Sequence, residues 1–121
     1  APICGLATVL FYDLMTKAGY VYRFPNRPYV YSPTLIYTRE FWAASPFPDQ
    51  QVGSSTPFVW GTPDRLKDAV LLHDSDWFVG MVHPGNTSEK SGFPEPFYIP
   101  WRGSVQSQLG DDWAFYQGLK L

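Results

Sequence analysis

Cysteine occurs once, as Cys4, so the chain can form no internal disulfide and no multi-cysteine zinc site. Charge is also scarce. Asp, Glu, Lys and Arg make up 17% of the residues, below the usual quarter, and the net charge is −2. A local basic group such as Arg23 with Arg27 is too sparse for a surface that tracks a phosphate backbone, so nucleic acid is not expected as a partner. No apolar run reaches the roughly 20 residues that a membrane-spanning helix needs. Neither GxGxxG nor GxxxxGK[ST] occurs, which removes the usual glycine-built phosphate loops. No cofactor is expected.

What the chain has in quantity is rings and prolines. Of 121 residues, nine are Phe, eight Tyr, five Trp and twelve Pro. They alternate in bursts: Arg23-Phe24-Pro25-Asn26-Arg27-Pro28-Tyr29, then Ser45-Pro46-Phe47-Pro48, then residues 93–101. Proline fixes φ near −65° and donates no backbone hydrogen bond, so these stretches read as extended and cannot be interior strands. Large apolar rings on such backbone are expected to lie flat on something, either the same domain or a partner.

The length suits one domain over residues 1–121. Residues 3–18 place Leu6, Leu10 and Leu14 at helical spacing, with Lys17 and Gly19 where a helix would stop, predicting a wide-faced apolar helix. Tyr20–Phe24, Tyr29–Tyr31 and Leu35–Thr38 read as strands, with Arg39–Trp42 extending the last of them. A loop over 45–56 leads to a short strand at Phe58–Trp60. Thr62-Pro63-Asp64 has the composition of a helix start, predicting a helix to about Leu72. Trp77–Val82 reads as a buried strand, 84–92 as a polar loop, 93–101 as an extended segment, and Gly110 onward as a short helix carrying Trp113. The expected fold class is α+β: a small, mostly antiparallel sheet with two or three helices and long proline-rich extended segments. The Ala1-Pro2 start fits a processed mature chain, exported or imported into an organelle.

Three constellations bear on chemistry. Cys4 at the start of the expected helix would feel the positive end of its dipole, with His73 or His83 as candidate base; that is the outline of a cysteine-dependent hydrolase. An inert apolar cysteine is the plainer account. Asp74 and Asp76, one residue apart, are candidate ligands for a hard cation, against a plain turn in which Asp74 or Ser75 bonds local backbone. Asn86-Thr87-Ser88 is a glycosylation sequon if the chain is secreted from a eukaryote. The expectation that the composition favours is a non-catalytic interaction or structural subunit. It would dock on a larger protein assembly, which could be membrane-associated, through the apolar helix and the aromatic–proline segments. Its interface candidates are Leu10, Phe11, Phe24, Tyr29, Trp42, Phe97, Tyr98 and Trp101. A carbohydrate-binding module stacking sugars on exposed Trp and Tyr is the alternative.

Overall fold

A computed structural model describes residues 1–51, 53–74, 76–86, 94 and 96–120. Among them the class is α+β, built from two small sheets and three helical segments. The three-stranded sheet has the order β4-β1-β5, from β1 (Ile3–Leu6), β4 (Ile36–Tyr37) and β5 (Val70–Leu72). The four-stranded sheet has the order β6-β2-β3-β7, from β2 (Thr8–Asp13), β3 (Ala18–Arg23), β6 (Val79–Val82) and β7 (Tyr98–Trp101). Both sheets are mixed: β1 pairs β5 and β2 pairs β6 in parallel, and the other three pairings are antiparallel. The helical segments are α1 (Arg39–Ala44), α2 (Ser55–Trp60) and a C-terminal run of α3 (Val105–Leu109), a 3-10 turn and α4 (Trp113–Gln117).

The expected helix over 3–18 is two strands and a hairpin turn. β2 is interior to its sheet and buried on both faces, with Val9, Leu10, Phe11 and Tyr12 all buried. A strand covered on both sides is a continuous apolar run, and such a run mimics the wide apolar arc of a buried helix. The supposed helix stop is a hairpin loop. Met15 and Thr16 donate to Asp13 Oδ1 (2.8 and 3.4 Å), Lys17 N–H donates to the Asp13 carbonyl (2.7 Å), and Lys17 adopts φ 57°. Ala7 alone separates β1 from β2, so one turn carries the chain from one sheet into the other.

Three further assignments reverse. The Thr62 start leads into turns, not a helix, because Asp64 sits at φ 56°, outside right-handed helical space. The chain then passes through three-residue turns closed on Thr62, Asp64 and Leu66, and Val70–Leu72 pairs with β1. Conversely, Phe58–Trp60 belongs to α2, where Pro57 occupies the first turn and its missing N–H is not needed. Arg39–Trp42 opens α1, capped by Thr38 Oγ1 accepting from Phe41 N–H (3.1 Å) with Glu40 in the first turn. Tyr29–Tyr31 is extended but unpaired as a strand.

β3 and β6 overlap the expected strands at 20–24 and 77–82, and α4 the expected short helix carrying Trp113, while α3 has no counterpart in the sequence pattern. β7 is a sheet edge that tolerates Pro100 opposite Tyr20. Residues 93 and 95 of the expected extended segment lie outside the described residues, as do Ser75, Thr87, Ser88 and most of the expected 84–92 loop.

Two hydrophobic clusters fill the interior. Ile3, Val30, Phe41, Phe58, Val59 and Leu66 with Tyr29 form one; Leu6, Val9, Phe11 and Val82 form the other. Tyr22 and Tyr31 pack against both and join them.

Candidate functional site

The proline-spaced rings fold back on their own chain. Phe24 meets Trp60 edge-on at 4.7 Å between centroids, Tyr29 at 5.7 Å and Phe97 at 5.1 Å. Tyr22 and Tyr98 lie 5.0 Å apart, and both contact Phe11. Each such aromatic contact contributes about 0.5–1.5 kcal/mol beyond burial, which is ample reason for the ribbons to close inward. Of the eight candidate interface residues, Leu10, Phe11 and Tyr29 are therefore buried, and Phe24, Phe97, Tyr98 and Trp101 are half-buried. Trp42, at 43% exposure, is the one left open. The apolar docking helix does not exist, since Leu10 and Phe11 belong to β2.

Burial has an electrostatic signature in this cluster. Loss of hydration, followed by the neighbouring tyrosines Tyr29 and Tyr98, pushes the Tyr31 phenol up to about 12. Tyr22 rises for the same first cause, with Tyr29, Tyr98 and Tyr31 adding to it. Tyr98 rises through burial and Tyr29; Tyr29 itself is raised by burial and partly eased by hydrogen bonds with Ser55 and Thr56.

The candidate catalytic residues do not converge. Cys4 lies within β1, half-buried, with no helix dipole to activate it. It registers with Val70, so His73 sits three residues further along, roughly 10 Å away at strand rise. His83 stands at the end of β6 in the other sheet, where its Nδ1 accepts from Gly85 N–H (3.1 Å) and its own N–H donates to Asn86 Oδ1 (2.6 Å), holding a turn. Asp76 N–H donates to Asp74 Oδ1 (3.2 Å), the turn geometry weighed against a cation site. Among the described residues no three His, Cys, Asp or Glu side chains cluster as metal ligands. His73 has a partner that the sequence did not suggest: its Nδ1 lies 2.9 Å from Thr8 Oγ1.

Arg65 is likewise visible only in three dimensions. Its Nε donates to the Phe58 carbonyl (2.6 Å), and its Nη2 to the carbonyls of Phe41 (2.9 Å) and Ser45 (2.8 Å). The guanidinium carbon lies 3.8 Å above the Phe41 ring. One side chain thus ties α1 to α2, and its partial burial holds its pKa below the ordinary value.

The surface feature that remains is the outer face of the three-stranded sheet. Cys4 registers with Ile36 on one side and Val70 on the other, so the three side chains form one row across the sheet. Leu72, two residues beyond Val70, lies on the same face. Ile36 is 72% exposed, Val70 45% and Leu72 37%. The opposite face, with Ile3 and Gly5, packs on the core; a Cβ on Gly5 would collide with Val30 Cγ1 and sit 3.1 Å from the Thr34 carbonyl. The sheet is thus apolar on both faces; one is covered, and the other is covered at Leu6 and open at Ile36, Val70 and Leu72. The sequence hid this because Val70–Leu72 has the composition of a helix end. Alternation of exposure across Val70, Leu71 and Leu72 exists only once the segment is a strand.

No helix of the described residues is long and apolar enough to cross a membrane. No known protein family matches the chain, and neither does any curated protein or solved structure.

Proposed function

We propose that this chain is a non-catalytic interaction module that docks on a larger protein assembly through the outer face of the β4-β1-β5 sheet. The observation that carries the reading is the row Ile36–Cys4–Val70, with Leu72 beside it: apolar on all three strands, with Ile36, Val70 and Leu72 exposed and Cys4 half-buried between them. Scattered apolar side chains at a surface are ordinary; an apolar row spanning a whole sheet is what partners cover. Both edges of this sheet, Ile36–Tyr37 and Val70–Leu72, also offer backbone groups beside the apolar row, so an extended segment of a partner could add to either edge. The docking surface is thus a sheet face rather than the helix and ribbons that the sequence suggests.

The test is affinity capture from native extract with the wild-type chain and with an Ile36→Glu/Val70→Lys variant, read by mass spectrometry. A protein retained by the wild type, lost by the variant and retained by Trp42→Ala supports the reading. Identical recoveries from all three, or none from any, refute it.

A further inference from the structure

We propose that the cleft between the start of β2 and the segment 23–29 binds a small phosphate ester, its anion held by Arg23, Arg27 and Thr8 and its organic part lying against the ring of Phe24 and reaching toward Trp60 in the adjoining cavity. The cleft measures about 430 Å³ and is lined by Thr8, Arg23, Phe24, Arg27, Tyr29 and His73, among others. It adjoins a second cavity of about 680 Å³, with Arg27, Pro28 and Leu71 in both walls.

Charge singles out this place. Arg23, Arg27, Arg65 and Lys67 line the two cavities, four of the nine basic residues of a chain whose net charge is −2. Asp64 is the only acidic residue among their described lining residues, against eleven acids in the sequence. Arg65 is committed to three backbone carbonyls. Arg23 and Arg27 are exposed, and among the described residues neither is paired with a carboxylate. Two arginines cannot track a nucleic-acid backbone, yet two forked donors suit one phosphate group, which each guanidinium can meet with two parallel N–H bonds.

Geometry supplies the rest. Thr8 and Arg23 are register partners on β2 and β3, which sets their side chains on one face. His73 Nδ1 lies 2.9 Å from Thr8 Oγ1; in the tautomer that carries the proton on Nδ1 the ring donates to Oγ1 and leaves the hydroxyl proton to donate to an anion beside the cations. Arg27 is held flat, its guanidinium carbon 3.7 Å above the Trp60 ring, and Trp60 is fixed in turn by its indole N–H donating to the Pro28 carbonyl (2.7 Å). A stacked guanidinium keeps its edge N–H groups free and loses little freedom on binding. Phe24, edge-on to Trp60, offers apolar surface next to them. The volume exceeds what an inorganic anion fills, which favours an ester over the free ion. This inference is independent of the sheet-face reading.

The test is isothermal titration calorimetry of the full chain with phenyl phosphate and with inorganic phosphate, at fixed ionic strength. Saturable one-to-one binding of phenyl phosphate, tighter than inorganic phosphate, is expected. Arg23→Gln and Arg27→Gln should each weaken it by roughly tenfold or more, the scale of one lost charge-assisted contact. Thr8→Val, which keeps the β-branched shape on β2, should weaken it less, and Arg102→Gln should leave it unchanged. No saturable binding, or equal affinity in the Arg23, Arg27 and Arg102 variants, would overturn the site. Equal affinities for the two ligands would overturn the ester assignment.

Discussion

Replacing Arg65 by methionine keeps most of the apolar stem and removes every donor that ties α1 to α2. Three carbonyls lose their partners: Phe41 and Ser45 at the end of α1, and Phe58 in α2. A hydrogen bond to a charged group contributes about 1.5–3 kcal/mol when water is excluded, so three would approach roughly 5–9 kcal/mol. Arg65 is only part-buried, however. Water can reach the vacated carbonyls, and exposed charged contacts fall to about 1 kcal/mol or less each. The expected destabilisation is therefore about 2–3 kcal/mol. For a chain of this size that corresponds to a fall in Tm of roughly 6–15 °C. Urea unfolding followed by tryptophan fluorescence and thermal unfolding by circular dichroism should agree on it. Arg65→Lys should recover less than half, because an ammonium on a flexible stem cannot reproduce a planar fork aimed at three oxygens. A methionine variant within about 0.5 kcal/mol of wild type would refute the reasoning. So would full rescue by lysine, which would make charge rather than geometry the cause.

Gly80 registers with Phe11, and a Cβ there would stand 2.5 Å from Phe11 Cε1, so Gly80→Ala should lower stability by about 1–3 kcal/mol in the same urea assay; no change would mean the ring has room to shift. The tyrosine cluster predicts alkaline unfolding. Its phenols are raised in the fold, so their contribution is complete below pH 10 and is lost as pH rises through the folded values, with Tyr31 at about 12. Tyrosinate absorbance should accordingly titrate in at least two steps, the later one coinciding with unfolding; a single step for all eight tyrosines near pH 10 would count against a closed cluster. Ile36→Lys and Val70→Lys lie on the open sheet face and should change stability by no more than about 0.5 kcal/mol, while raising solubility; a large loss of stability would mean the face is covered within the chain.

Ring contacts account for where the interface candidates lie. Phe24, Tyr29, Phe97 and Tyr98 are as apolar and as proline-flanked as a docking ribbon would be, and composition does not say what they lie against. In the fold they lie against one another and against Tyr22, Phe11 and Trp60. The catalytic candidates behaved similarly. Cys4 and His73 are near in the sheet, yet three residues of strand rise keep them apart, whereas Thr8 and His73 meet because the pairing of β1 with β5 runs on through Ala7 N–H to the Leu72 carbonyl (2.8 Å).

Local chemistry, legible along the chain, determined the α+β class, the strands overlapping 20–24 and 77–82, the edge position forced on any strand containing Pro100, and the short helix carrying Trp113. These depend on side-chain alternation, on the geometry of proline and on glycine-bounded segments, all properties of neighbouring residues. Only the tertiary structure decided that residues 3–13 are strands, that Val70–Leu72 exposes two of its three side chains, and that Arg65 holds two helices together. A strand buried on both faces and a helix buried all round carry the same apolar text. What separates them is which partner strands arrive on either side, and here those partners come from up to some seventy residues away.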